Sequence, residues 1–212
     1  MEDGTVNDPS VQDKMCAYCF DNLKEIHSNG EILMYPKDLP NGEYPLFITW
    51  QLDKILRGCI GTFKAELLSK LVPLYCYIAA FKDDRFPPIS EKEIPLLTCS
   101  VSLLSNFENI EDPLDFEIGK HGMEVEFEVD EKKYRSTYLP HVPFEQNWTQ
   151  EHTLNKLISK AGYKDGKYED IKDKFTKATR YQSIKFKMTH QQYLEHKEKL
   201  GKSTEENKEE GE

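Results

Sequence analysis

The chain has 212 residues and a formal net charge of −10, with 38% hydrophobic and 31% charged residues. That length suits one domain with tails, and the apolar share can form a packed core, which excludes a disordered or fibrous chain. The acidity is largely terminal: Met1–Asp13 carries four acids and no base, and Glu198–Glu212 carries six Glu against three Lys. The excess charge therefore describes the ends and not a binding face.

Ser10, with Asp13 three residues on, is expected to open a helix with a buried stripe at Val11, Met15, Cys19, Leu23 and Ile26, closed by Asn29-Gly30. Lys37–Gly42 reads as loop. Leu46, Ile48, Trp50 and Leu52 alternate with Phe47, Thr49 and Gln51, which is strand periodicity. Asp53-Lys54 makes a tight turn, and Ile55–Phe63 returns as a second strand on which Arg57, Cys59 and Gly61 would share a face. A helix follows, starting between Ser69 and Pro73 because proline is tolerated in a first turn. Its apolar stretch, Leu71–Phe81, is well short of the ~20 residues a membrane span needs.

Asp83-Asp84-Arg85-Phe86-Pro87-Pro88 breaks that helix, and the Phe86–Pro87 and Pro87–Pro88 bonds are open to the cis form. Ser90 and Glu93 form a capping box for a short helix. Strands are expected at Leu97–Leu103, at Met123–Val129 with Glu124, Glu126 and Glu128 on a wet face, at Lys133–Leu139 and around Ile184–Met188. Thr149 caps a helix carrying Leu154, Leu157 and Ile158; Ile171, Phe175 and Ala178 suggest another; Thr189 and Gln192 cap a last one. Antiparallel hairpins mixed with helices, without regular β-α alternation, read as α+β. The boundaries read as acidic disordered tails at 1–9 and 199–212 around a domain at 10–198.

The most distinctive string is Leu56-Arg57-Gly58-Cys59-Ile60-Gly61-Thr62. A cation lowers a thiol's pKa and the thiolate is the reactive form, so Arg57 beside Cys59 suggests a nucleophile. Gly58 and Gly61 would let a ligand approach the backbone amides, which could hold an oxyanion. The plainer alternative is a core cysteine between close-packing glycines. His121, in the turn Gly119-Lys120-His121-Gly122, is a candidate base or a surface turn residue. Asp84 and Arg85 could position a substrate; the alternative is a helix-ending turn with a local Asp–Arg pair. Cys16 and Cys19 form a lone C-x-x-C inside a helix, without the partners a zinc site needs, and read as core thiols. Lys160–Lys187 is basic and interleaved with aromatics, a pattern that can bind single-stranded nucleic acid, but the aromatic spacing looks internal. No nucleotide-binding glycine loop occurs. Five cysteines without an export signal point to reduced thiols in the cytoplasm or nucleus.

The run Leu56–Thr62 resembles the signature of the AMMECR domain family, named for a human chromosomal region linked to a contiguous-gene syndrome. Arg85-Phe86-Pro87-Pro88, Gly119-Lys120-His121-Gly122, Leu139-Pro140-His141-Val142 with Glu145-Gln146-Asn147-Trp148, Lys160-Ala161-Gly162-Tyr163 and Thr179-Arg180-Tyr181 resemble further family elements in the same order. The resemblance runs from about Gln12 to Lys197. It implies an antiparallel sheet flanked by helices, sometimes described as two subdomains. It supplies no settled activity, and suggests a pathway shared with Memo-like proteins. Together these observations predict a working cleft around Leu56–Thr62. Cys59 and His121 are the candidate catalytic residues, and Arg57, Gly58, Gly61, Asp84, Arg85 and Trp148 are candidates to contact a substrate or partner. No metal or cofactor is expected, nor a membrane partner. The rival reading is a non-enzymatic module recognising a protein or small molecule.

Overall fold

The computed structural model describes residue 6 and residues 8–209, with side chains as far as 202. The expected tails therefore lie partly outside the described residues. The elements in chain order are α1 (Pro9–Asn29), β1 (Glu43–Leu52), β2 (Ile55–Leu67), α2 (Leu68–Phe81), a 3₁₀ turn (Glu91–Leu96) and β3 (Leu97–Ile110). Then come β4 (Gly122–Val129), β5 (Lys132–Tyr138), α3 (His141–Glu145), α4 (Gln150–Lys160), α5 (Tyr168–Ile171), a 3₁₀ turn (Lys172–Lys174), β6 (Phe175–Thr189) and α6 (His190–Glu209). The strands follow the order β2-β1-β3-β6-β4-β5, so the fold is α+β with an antiparallel sheet, as expected.

The chain divides into two compact units: 1–103 with 184–212, and 104–183. In unit 1, the alternation of β1 buries Leu46, Ile48 and Trp50 completely. α2 packs on β1 and β2, α1 packs on α2, and Met15, Cys19 and Leu23 of α1 are buried in the same core. The β1–β2 connection is a two-residue turn, with Asp53 and Lys54 both at positive φ (49° and 70°), the twist that suits a tight hairpin. In unit 2, Met123, Val125 and Phe127 of β4 and Leu154, Leu157 and Ile158 of α4 form a separate core.

Several local expectations need correcting. The cap of α1 is Asp8, whose carboxylate accepts from the Ser10 N–H, with Pro9 opening the helix. Pro73 lies in the second turn of α2, beyond the first-turn amides that lack partners, so its ring forgoes the bond an amide there would make to Ser69. Glu124 is buried and paired with Arg135 instead of facing water. The expected helix through Ile171, Phe175 and Ala178 is one turn of α5 followed by strand. A bulge at Thr176 lets Phe175 and Ala178 align with Phe127 and Val125, and that extra residue imitates helical spacing.

Candidate functional site

β2 lies at the end of the strand order, so it is an edge strand whose outward backbone groups need partners other than a strand. Cys59 stands opposite Thr49 of β1, which stands opposite Ser100 of β3. The Thr49 hydroxyl donates to Cys59 Sγ at 3.1 Å. Both backbone groups of Cys59 are met by the segment after α2. Its N–H donates to Asp83 Oδ2 at 2.8 Å, and its carbonyl accepts from Arg85 Nη2 at 2.9 Å. Arg85 also grips Asp83 with two bonds, at 2.8 and 2.7 Å. The Asp83–Arg85 pair thus takes the place of a neighbouring strand at this one residue. The Arg85 bonds, helped by the Cys59 amide, hold the buried Asp83 carboxyl down to about 2 against the cost of desolvation.

Arg57 is the extra residue of a bulge: Gly58 faces Trp50 and Leu56 faces Gln51, leaving Arg57 between them. The inserted residue interrupts the two-residue alternation on which the expected shared face of Arg57 and Cys59 depended. Its guanidinium makes four bonds. Nε and Nη2 reach Glu93 at 2.7 and 3.2 Å, Nη1 reaches the Pro87 carbonyl at 2.7 Å, and Nη2 reaches the Pro88 carbonyl at 3.2 Å. Glu93 also accepts from the Ser90 amide and hydroxyl, completing the predicted capping box. Arg57 holds Glu93 down to about 2. Two arginines therefore staple the segment from Asp83 to Glu93 onto β2, and no described peptide bond within it is cis.

The two glycines serve close packing. A Cβ at Gly58 would lie 2.0 Å from the Ala79 carbonyl oxygen of α2; one at Gly61 would lie 2.2 Å from the Leu46 carbonyl oxygen. Because Asp83 already holds the Cys59 N–H, that amide cannot also serve an oxyanion. Ser100 and Ser102, on the same side of the sheet as Thr49, are buried with hydroxyls that have no hydrogen-bond partner.

Thr49, Asp83 and Glu93 are the residues that sequence reasoning passed over as site members. Asp84, which it chose, is exposed, and its neighbour Asp83 makes the contacts. Only Glu93 had left a local trace, as the acid of the capping box. Among the other candidates, His121 and Trp148 belong to unit 2. His121 is buried, and its Nδ1 accepts from the Glu117 N–H at 3.0 Å, which assigns the proton of the neutral ring to Nε2. Burial, then the charges of Lys120 and Arg180, push its pKa down. Trp148 packs edge-on to Tyr138, with His152 and the Lys156 ammonium over its ring. Of the aromatics in the basic stretch, Tyr168, Tyr181 and Phe186 are buried and Tyr163 and Phe175 are half-buried against the core of unit 2. A groove of about 210 Å³ in unit 1, lined by Lys14, Tyr18, Asp21, Leu39 and Lys197, contains none of the motif residues. Among the described residues, no group of three or more His, Cys, Asp or Glu is arranged to hold a metal ion.

Proteins similar to this chain occur in distant organisms. The AMMECR1 family model matches residues 16–186, and the chain belongs to that family. An uncharacterised Arabidopsis thaliana protein is 40% identical over 87% of this chain and 88% of its own length. An uncharacterised Schizosaccharomyces pombe protein is 42% identical over 88% of this chain and 97% of its own. Among solved structures, an uncharacterised protein from Pyrococcus horikoshii matches with a TM-score of 0.69 at 24% identity, covering 84% of this chain and 91% of that one, which shows a shared fold. No helix among the described residues is long and apolar enough to cross a membrane.

Proposed function

We propose that Cys59 is the working group of unit 1, a thiol nucleophile held in a fixed position for attack on a small-molecule or protein substrate. One observation carries this reading: Thr49 donates a hydrogen bond to the sulfur while Asp83 and Arg85 fix the amide and carbonyl of the same residue. A donor at the sulfur favours the thiolate, and a nucleophile on a strand with its backbone clamped loses little freedom on reaction. Arg57 acts through the loop it fastens and is a positioning residue. Gly58 and Gly61 set the strand's distance from its neighbours. His121, with its proton on Nε2, is suited to donate a hydrogen bond. Five thiols with no disulfide fit the reducing conditions of cytoplasm or nucleus.

The test is the alkylation rate of Cys59 as a function of pH, followed by peptide mapping. An inflection below the free-thiol value of about 8.5, lost in Cys59→Ser, is the expected result. A thiol that is inert, or that titrates at or above that value, overturns it. A second reading has its own support. Arg57 ties down the Pro87 and Pro88 carbonyls, leaving Asp84, Arg85, Pro87 and Pro88 as an exposed, preformed loop suited to a recognition module. If Arg57→Ala abolishes partner capture while Cys59→Ser retains it, the module reading replaces the enzyme.

A further inference from the structure

Cys59 points away from α2. Its neighbour Gly58 faces the Ala79 carbonyl of that helix, and successive residues of a strand turn to opposite sides. The strand register extends the Cys59 side of the sheet across three strands. Cys59 of β2 lies opposite Thr49 of β1, and Thr49 lies opposite Ser100 of β3. Two residues along, Gly61 lies opposite Phe47, and Phe47 lies opposite Ser102. Ser100 and Ser102 are each 1% exposed, and neither hydroxyl has a hydrogen-bond partner. A buried hydroxyl without a partner is destabilising. Alanine would fill nearly the same space without that penalty, so packing does not account for either serine.

The register gives Ser100 a neighbour that Ser102 lacks. Thr49 has one hydroxyl proton and two lone pairs. With that proton on Cys59 Sγ, as in the 3.1 Å bond, the thiolate is favoured; with the oxygen accepting from S–H instead, the thiol is favoured. A donor at the Thr49 oxygen tips this balance towards the thiolate, because it takes up a lone pair and strengthens the Thr49 O–H as a donor. Directly opposed residues on antiparallel strands have Cβ atoms about 4.5–5.5 Å apart, within reach of a hydroxyl-to-hydroxyl bond of about 2.8 Å. A turn of the Ser100 hydroxyl about χ1, between staggered positions, takes it from the unpaired arrangement to that bond. Ser102 faces the Phe47 ring, which has no hydroxyl to accept it.

We propose that Ser100 is a positioning residue for Cys59: its hydroxyl turns to donate to Thr49 Oγ1, which fixes the Thr49 proton on the sulfur. Ser100 acts through Thr49 and not on the sulfur itself. The inference rests on the nucleophile reading above and extends its machinery to a third strand. Asp83 and Arg85, the charged groups bonded to the Cys59 backbone, keep their places whichever way the serine turns, and the Arg85 charge also acts on the sulfur. A change in Cys59 ionisation on altering Ser100 alone therefore reports the hydroxyl.

The full chain, with isotope-labelled cysteine, is titrated with base and followed by NMR at the Cys59 Cβ, whose signal is assigned by its absence from Cys59→Ser. This reads ionisation without requiring a reagent to reach the sulfur. Ser100→Ala is expected to lower the thiolate fraction of Cys59 near neutral pH about threefold, less than the loss expected when the donor itself is removed in Thr49→Val. Ser102→Ala removes a hydroxyl of equal burial from the same side of the sheet and should titrate as the wild type does. In a Thr49→Val background, Ser100→Ala should have no further effect, as a double-mutant cycle requires of groups that act in series. An unchanged titration in Ser100→Ala, an equal change in Ser102→Ala, or a Ser100→Ala effect that survives Thr49→Val would each overturn the proposal. A wild-type midpoint at or above about 8.5 instead overturns the nucleophile reading, and the comparison among the variants still decides this one. A sulfur that does not ionise before the chain unfolds overturns both.

Discussion

The Thr49 hydroxyl and the Cys59 sulfur lie on neighbouring strands, ten residues apart in the chain. Thr49→Val preserves the shape of the side chain and removes the donor. A hydrogen bond to an ionised group contributes about 1.5 kcal/mol or more, so alkylation of Cys59 near neutral pH should slow by roughly tenfold. An unchanged rate would show that the hydroxyl does not act on the thiolate. Gly58 is equally specific. An added Cβ would meet the Ala79 carbonyl oxygen at 2.0 Å, and a helix backbone cannot swing aside as a side chain can. Gly58→Ala is therefore expected to cost about 3 kcal/mol, the upper part of the range for overpacking, read as a shift in the urea midpoint. The same change at Gly30, where nothing lies within 4 Å, introduces no clash and isolates the cost of its positive φ.

At the scale of elements, the segment from Asp83 to Glu93 behaves as a bolted strap along β2. Its two carboxylates give it a pH signature. Asp83 and Glu93 both titrate at about 2 in the folded protein, from reference values of 3.8 and 4.5. A lowered folded pKa means that the stabilisation is complete above the unfolded values and is lost as pH falls through the folded ones. Stability should therefore decline from about pH 4.5 towards pH 2, by roughly 2 kcal/mol for Asp83 alone. Asp83→Asn should flatten that part of a pH-dependent urea titration, and a decline of equal depth in the variant would assign the acid sensitivity elsewhere. Arg57→Lys keeps the charge but cannot supply a fork that reaches Glu93 and two carbonyls together. Faster hydrogen exchange from Phe86 to Ser90 is expected, and unaltered protection would mean the strap holds without its arginine.

At the scale of the molecule, each unit has its own core. Phe127 is buried in unit 2 against Tyr134, Tyr163 and Phe175. Phe127→Ala should cost about 3–5 kcal/mol, with the loss of hydrogen-exchange protection centred on β4 and β5. Protection lost uniformly across residues 6–209 would instead show that the chain opens as one body.

What the amino-acid sequence determined by itself is what depends on near neighbours. The alternation of β1 and β4, the two-residue turn at Asp53-Lys54, the capping boxes at Ser90–Glu93 and Thr189–Gln192, and the cap at Thr149 are all set within a few residues, where periodicity and hydrogen-bonding chemistry act directly. The tertiary structure decided what joins distant parts. The outward amide of an edge strand needs a partner, but nothing in Leu56–Thr62 says that Asp83 and not Asp84 will supply it. The bulges at Arg57 and Thr176 shift the alternation by one residue, and only pairing with another strand reveals where. Cys76 and Cys99 share a buried core with Cys16 and Cys19 only once the chain has folded, since α1, α2 and β3 lie far apart in sequence. Leu56–Thr62 is thus legible as a motif from local chemistry, while the roles of its arginine, glycines and cysteine follow from contacts that exist only once the chain has closed on itself.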